Sequence, residues 1–512
     1  MNNIRPVSLI VLLCVVLTIA CKKKDTLPTA GKVTLKNELV TPNTNGITPL
    51  TATIHVETSP AVKVSILVTG KHGAESDVTK DFLEVSTIHD IPVLGLYADY
   101  NNTVTLIFKD ASGTEQGRKS YSIKTNPLPA GIFPVITIDN KKTGMAQGMT
   151  FVSYFGYAVS PFPQFPFVFD AFGDIRWYRD FRLTTSLSNL FYDDGIERLQ
   201  NGNLYFGDIS SNTIYEMDMM GNILNTWPLP GYQFHHNVQE KPNGNFLVSV
   251  SNQGIATTED FIIEIDRGSK QIIKTWDLRA SLQSSRKTLT ADTVDWIHVN
   301  ALIYDASDNT IIISGRTQGL VKLDNNNNVV WIMSCHKGWA TAGNGANLTN
   351  LLLQPLDKND QPITDQNVLD GNSNHPDFEW NWYQHAPLLM PNGNVMLFDN
   401  GGDNRNFSGG VQYSRAAEYK INAANKTVKQ IWDYGKERGA AAFAHIVSDV
   451  DFLANVNHVI FSPGAVNNTT NYGKVIELDY ATKEVFFEAT LTPPKTFFGI
   501  TFHRTERLTL YP

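Results

Sequence analysis

Trp382-Tyr383-Gln384-His385-Ala386-Pro387 leads through a short apolar run into Pro391-Asn392-Gly393-Asn394, and then into Leu397-Phe398-Asp399-Asn400-Gly401. Asn392-Gly393 is a two-residue hairpin signal, because both residues tolerate positive φ. The flanking runs are apolar or alternate, as strands of a buried sheet do. His385 stands seven residues before Asn392, about one strand length, so it belongs at the far end of that strand. The same construction occurs earlier as Phe234-His235-His236-Asn237 followed by Pro242-Asn243-Gly244-Asn245, and His236 is again seven residues before its turn Asn. Two histidines at one register of two similar hairpins point to a single site assembled by repetition.

Outward from this stretch the chain repeats itself. A strand with Asp or Asn, a polar turn, β-branched residues and then an aromatic recur as Asp170 to Trp177, Asp218 to Trp227, Asp266 to Trp276, Asp324 to Trp331, Asn422 to Trp432 and Asp479 to Phe487. The aromatics are spaced by about 50 residues, the period of a four-stranded propeller blade. The gap from Trp331 to Trp432 is about twice that, too short for two further blades. It reads as one blade carrying an insertion at about 338–381, rich in Gly, Asn and Asp. The expectation is an all-β chain with a six-bladed β-propeller over 129–512.

Ahead of it, residues 32–128 show short alternating runs such as Thr51 to Glu57, Val62 to Ile66 and Thr103 to Phe108, separated by turn residues. This pattern predicts an N-terminal β-sandwich, closed by Pro127-Leu128-Pro129. Residues 22–31 are polar and charged and read as a tether. Arg5 precedes an apolar run from Val7 to Ala20, too short to remain as a membrane-spanning helix. Its end, Ile19-Ala20-Cys21-Lys22, looks like a bacterial lipoprotein signal over 1–21 with Cys21 as the lipidated residue. The expected location is the cell envelope, as an outer-membrane lipoprotein facing periplasm or cell surface, held to the membrane through its lipid anchor only. With Cys14 removed and Cys21 acylated, Cys335 alone remains, so no intrachain disulfide can form. The net charge of −8 argues against nucleic acid as a partner, since phosphate binding needs a basic face. The oligomeric state, a homodimer included, stays open at this level.

In a propeller the innermost strands line the axis, so like positions converge there. His298, in Asp295-Trp296-Ile297-His298-Val299-Asn300, lies ten residues before Asp308, and His445 lies ten before Asn455. Arg316 follows the hairpin of His298 on the neighbouring strand. Three histidines suggest a metal, but a permanent cation beside them opposes M²⁺, and no carboxylate accompanies them in sequence. A His/Arg cluster suits an anionic tetrahedral group instead. A glycosidase needs paired carboxylates; Asp194 and Asp295 make no convincing pair.

Several motifs, in order, resemble the bacterial aryl-sulfate sulfotransferase family. They are Phe234-His235-His236-Asn237-Val238, Asp295-Trp296-Ile297-His298-Val299-Asn300, Ser314-Gly315-Arg316, Gln384-His385-Ala386-Pro387, Tyr413-Ser414-Arg415-Ala416-Ala417-Glu418-Tyr419 and Phe502-His503-Arg504-Thr505-Glu506-Arg507. The similarity runs from about Ile91 to the C-terminus. It implies the same sandwich-plus-propeller fold, a phenolic sulfate donor, a phenol acceptor, no cofactor and no nucleotide sulfate donor. It implies ping-pong chemistry through a sulfated histidine, with His385 as the nucleophile, His236, His298 and Arg316 as the other catalytic residues, and Asn300 binding substrate. A disulfide found among family members between the Arg and the nucleophilic His has no counterpart, since Cys335 is the one cysteine there.

Sulfuryl transfer resembles phosphoryl transfer, with charge spread over three equatorial oxygens, so positioning and electrostatics carry it. Arg316 and His298 suit those oxygens, and His236 suits the proton exchange with leaving and entering phenols. The competing readings are a non-catalytic ligand-binding propeller lipoprotein and an aryl sulfate hydrolase. The anchor is tested directly: Cys21→Ser should move the protein from the membrane fraction to the soluble one. Wild-type protein found wholly soluble after processing removes the lipoprotein reading.

Overall fold

The computed structural model describes residues 33–158, 162–191, 195–287, 292–402, 412–467 and 469–512. The lipoprotein leader, Cys21, the tether and Asp194 lie outside the described residues. Five strands, Thr34–Pro42, Ala52–Val68, Val78–Val93, Asn101–Lys109 and Glu115–Lys124, form the N-terminal unit. Ala52–Val68 pairs with Thr34–Pro42 along its first half and with Asn101–Lys109 along its second, while Val78–Val93 follows its other edge. A break in register between Glu57 and Val62 lets this shared strand turn from one layer to the other. Its alternate residues Ala52, Ile54, Val56, Val62, Val64 and Ile66 are buried, which is the period-2 pattern of a half-covered sheet.

Six antiparallel sheets follow, each with four strands in sequential order from inside to outside. Their inner strands are Gly499–Leu508, Glu197–Arg198, Tyr232–Glu240, Val299–Asp305, His385–Leu389 and Asp449–Leu453. The first sheet mixes the two ends of the ring. Its outer strands Met149–Tyr157, Phe167–Phe169 and Ile175–Tyr178 come first in the chain, and its inner strand Gly499–Leu508 comes last. The last sheet receives Val135–Lys141 on its outer edge, so the ring is closed at two radii. The chain between Met333 and His385 leaves the ring, and Gln354–Pro355 joins the outer edge of the fifth blade as a short parallel strand. Among the described residues no helix is long and apolar enough to cross a membrane.

The repeated aromatic has a specific function in this architecture. The indole N–H of Trp177 donates to the Met219 carbonyl (2.7 Å), that of Trp227 to Arg267 (2.9 Å), that of Trp276 to Asp324 (2.9 Å) and that of Trp432 to Tyr480 (2.7 Å). Every acceptor lies in or just after the Asp-led turn of the next blade. Those turns are held by their own aspartates: Asp218 accepts from the Asn222 N–H, Asp266 from Ser269, Asp324 from Asn326 and Asp479 from Thr482. The Asp-to-Trp repeat is thus both halves of one bond between neighbouring blades.

The hairpins differ from the two-residue turn expected. Met390 N–H bonds to Asn394 O, Gly393 N–H bonds back to Met390 O, and only Gly393 has positive φ (+83°). This is a type I turn followed by a left-handed Gly. Pro391 in its second position explains the choice, because a ring-locked negative φ cannot enter a type I′ turn. The Asn after each Gly caps the neighbouring strand: Asn203 donates to Glu216 (2.7 Å), Asn245 to Glu264 (2.9 Å) and Asn394 to Glu418 (2.7 Å).

The two units share a core and a buried arginine. Arg176 donates to Gly95 O (2.9 and 2.7 Å), Ser76 O, Tyr97 Oη and Asp170, and stacks on the Tyr97 ring. Trp276→Phe keeps the ring and deletes the interblade donor, and should cost about 1–2 kcal/mol of stability. Trp276→Ala should cost about 3–5 kcal/mol. Denaturant unfolding of both variants checks the ratio; equal small losses would deny the bond its place in the ring.

Candidate active site

Four of the inner strands break register near the axis, and a histidine lies within or beside each break. The bulges fall between Phe234 and Val238, Val299 and Ala301, His385 and Leu388, and Phe502 and Thr505. His236 (φ +58°) and His298 (φ +54°) adopt left-handed backbone, as does Ala386 (φ +47°). A bulge re-aims side chains that a regular strand would send to its two faces. Here it brings imidazoles from four blades together. Ring centroids lie 4.8 Å apart for His236 and His298, 6.0 Å for His236 and His503, and 6.3 Å for His385 and His503. All four histidines are buried. A cavity of about 290 Å³ lies along the axis among the inner strands, lined by Asn237, Ala386, Asp449 and Arg504 among others and by none of the four histidines.

The structure therefore brings together His236, His298 and His385, which the register selected. Arg316 joins them: its N–H donates to His298 O (2.9 Å) on the adjacent strand, and its guanidinium lies 3.9 Å from Asp295 and over the Tyr383 ring. The Arg316 Nε and the His298 Nε2 are buried without a partner among the described residues. Asn300 is placed differently from a plain substrate contact. Its amide donates to Gln384 O (2.8 Å), bracing the residue before His385, and its Oδ1 is the atom left open. Gln384 also donates to Ser314 Oγ and Gly315 O (both 3.0 Å), tying the His385 strand to the Arg316 strand. His445 is half-buried and precedes its own inner strand by several residues.

The protonation of His385 follows from its neighbours. Asn400 donates its amide to the carbonyls of Ala444 (2.8 Å) and Val447 (3.0 Å), so its Oδ1 faces His385 Nδ1 at 2.7 Å. The Tyr383 carbonyl is 3.0 Å from the same nitrogen. Both are acceptors, so Nδ1 carries the proton and the lone pair lies on Nε2. Burial, together with the nearby charges of Arg316, His236 and His298, holds the His385 pKa well below the ordinary imidazole value against the opposing pull of Asn400. His503 is pushed down in the same way, by burial and then by His236, His385 and Arg504.

Glu259 corrects the reading that no carboxylate accompanies the histidines. Its Oε2 lies 3.1 Å from His236 Nε2 and 2.8 Å from His298 Nδ1, and its Oε1 lies 3.3 Å from His235 Nδ1. Asp295 adds a second carboxylate oxygen 2.7 Å from His298 Nδ1. Burial raises the Glu259 pKa, but His236 and His298 override it and leave the carboxyl far below the usual carboxylate range. His236, Glu259 and His298 offer ligand atoms within 4.8 Å of one another, the size of a metal chelate. Protons suit this set better than a cation. A metal needs both imidazole nitrogens deprotonated, and it would share Asp295 with the guanidinium of Arg316.

Sequence reasoning missed Glu259, which comes from a loop between strands of the His236 blade and follows no register. It also missed Asn400, present in the opening stretch but without a signal for its role. His503 stood in a motif and carried no assigned role.

The arylsulfotransferase (ASST) profile matches residues 135–497, and the arylsulfotransferase Ig-like domain matches residues 39–126. The chain belongs to the arylsulfotransferase family. It is 28% identical to Arylsulfate sulfotransferase AssT of Escherichia coli O6:H1, over 86% of this chain and 88% of that protein. The likeness to Arylsulfate sulfotransferase AssT of Lelliottia amnigena is the same in identity and extent. Among solved structures, a virginiamycin B lyase of Staphylococcus aureus overlaps at 10% identity with a TM-score of 0.35, over 69% of this chain and 87% of that one.

In this family member the tautomer of His385 is measurable. Long-range ¹H–¹⁵N spectra should show it as neutral Nδ1–H at pH 6, and Asn400→Ala should weaken that preference without abolishing it, since the Tyr383 carbonyl still accepts from Nδ1. An imidazolium at pH 6 in the wild type would contradict the assignment.

Proposed function

We propose that this chain is an aryl-sulfate sulfotransferase that works by two displacements through a sulfated His385, with no nucleotide sulfate donor. The single observation that carries the reading is the His385 environment. A neutral imidazole with Nδ1–H fixed by two carbonyl acceptors presents its Nε2 lone pair beside a permanent cation. In the first step Nε2 attacks the donor's sulfur, the sulfur–aryloxy bond breaks, and the phenolate leaves with a proton from His236. The sulfated ring becomes cationic, and the oxygens of Asn400 and Tyr383 on its Nδ1–H stabilise that charge. In the second step the acceptor phenol gives its proton to His236 as its oxygen attacks sulfur, and the N–S bond breaks.

Arg316 supplies donors to the equatorial oxygens, which gain charge in the loose transition state, and His298 adds one through Nε2 when its ring carries both protons. Low basicity helps His385 here: it remains a free nucleophile where an exposed imidazole would begin to protonate. The same proposal anchors the protein at the cell envelope by lipid on Cys21, supported by the apolar run and the residues around that cysteine. A hydrolase built on this site would turn over donor without a phenol acceptor.

Donor mixed with enzyme alone should release one phenolate per site in a burst and then slow; adding a phenol should restore turnover. Intact mass should rise by one sulfuryl group, and His385→Asn should abolish both signals. A burst that persists in His385→Asn moves the nucleophile elsewhere. Steady turnover without acceptor makes the protein a hydrolase.

A further inference from the structure

From the placement of Glu259 between two blades we infer that it is the positioning residue of the site: one carboxylate fixes the tautomer of His236 and joins Asp295 in holding that of His298. The inference rests on the sulfuryl-transfer reading for its kinetic consequence, but its structural content stands apart from the identity of the nucleophile.

A carboxylate accepts hydrogen bonds and donates none. Glu259 is buried, and its backbone is fixed at both ends: its N–H donates to Ser251 Oγ (2.8 Å) and its carbonyl accepts from Val299 N–H (3.1 Å). The second bond joins it directly to the residue after His298. Its left-handed backbone (φ +56°) turns the side chain toward the axis. Both imidazoles approach the same oxygen, His236 through Nε2 at 3.1 Å and His298 through Nδ1 at 2.8 Å. Each of these nitrogens must therefore carry hydrogen. Neutral His236 then holds its lone pair on Nδ1, and neutral His298 holds its lone pair on Nε2.

The two rings are thus set with opposite nitrogens facing the carboxylate. For His236, Nδ1 becomes the atom that gives and takes the phenolic proton, and Glu259 stabilises the imidazolium that stands before the proton is given and again after it is taken back. No proton passes to Glu259 itself. The arrangement follows the logic by which a buried carboxylate orients a catalytic imidazole elsewhere, applied here to two rings at once. The two rings differ in one respect. His298 Nδ1 has a second acceptor, Asp295 at 2.7 Å, and keeps its tautomer without Glu259.

Glu259→Leu tests this in the full chain. The Leu side chain fills a similar space and offers neither ring an acceptor, whereas a Gln oxygen in the place of Oε2 could still accept from both. In ¹H–¹⁵N spectra the neutral His236 should change from Nε2–H toward Nδ1–H, while His298 stays Nδ1–H as an internal control. With a series of aryl sulfates, kcat/KM should fall on the order of 10²–10⁴ for phenols of high pKa, as when a tautomer-fixing carboxylate is lost. It should fall far less for a nitrophenyl donor, whose leaving group needs little proton. Glu259→Asp, which keeps the charge with a shorter reach, should show the same slope in weaker form and serves where the Leu variant fails to fold. Equal losses across the donor series, or an unchanged His236 tautomer, overturn the inference. A missing sulfuryl burst with the tautomer change intact overturns the His385 reading alone.

Discussion

A closed ring of sheets depends on fixing the distance and angle from each blade to the next. In this chain that constraint is met at the periphery by one repeated hydrogen bond, from a buried indole N–H to the turn carbonyl of the neighbouring blade. A tryptophan suits the place for two reasons. Its ring fills a large volume between sheets, and its single donor must find a partner when buried. The aspartate in each turn holds the carbonyl in position, so neighbouring blades are registered by groups far from the axis. Two junctions differ: the last blade carries Phe487, which has no donor, and pairs with Val135–Lys141 at its rim, and Trp331 contributes no such bond among the described residues.

With the rim fixed, the inner strands can afford irregularity. Bulges and left-handed residues cost free energy, and they persist where the surroundings hold them. Their position at or beside four breaks in register turns imidazoles toward one point. The second layer of contacts then sorts these chemically similar rings. Asn400 and Tyr383 give His385 only acceptors on one nitrogen, so it stays neutral with its lone pair on the other; Glu259 and Asp295 give their histidines anionic acceptors, which favour a proton. Three histidines are thus distinguished by the charge of the atom each one faces.

The fold was legible because its signals are local. The Asp-led turns, the tryptophans and the Asn-Gly hairpins all lie within a few residues of one another, and their spacing counts the blades. His236, His298 and His385 were legible for the same reason, since each stands at a set distance from the turn that follows it. His503 has no such ruler. Its strand ends the ring and pairs with Met149–Tyr157, more than three hundred residues upstream, so no following hairpin marks its register. Glu259 reaches the axis from a loop, and Asn400 acts through an amide whose orientation is fixed by two carbonyls on the next blade. Neither arrangement leaves a period in the sequence. The bulges themselves are hidden too, because an extra residue interrupts the alternation by which strands are recognised. The hairpin type was misread through Asn392-Gly393 alone; Pro391 was the residue that decided it.

The closing strand has a temporal consequence. Gly499–Leu508 supplies both the innermost edge of the first blade and the fourth imidazole of the cluster. During synthesis, every other blade can form as its strands emerge in order, while the first must wait with its inner edge unpaired. The pocket gains His503 only when that last strand slides into place. Assembly of the reactive centre and sealing of the ring are therefore one event, and a nascent or shortened chain lacking this strand has neither.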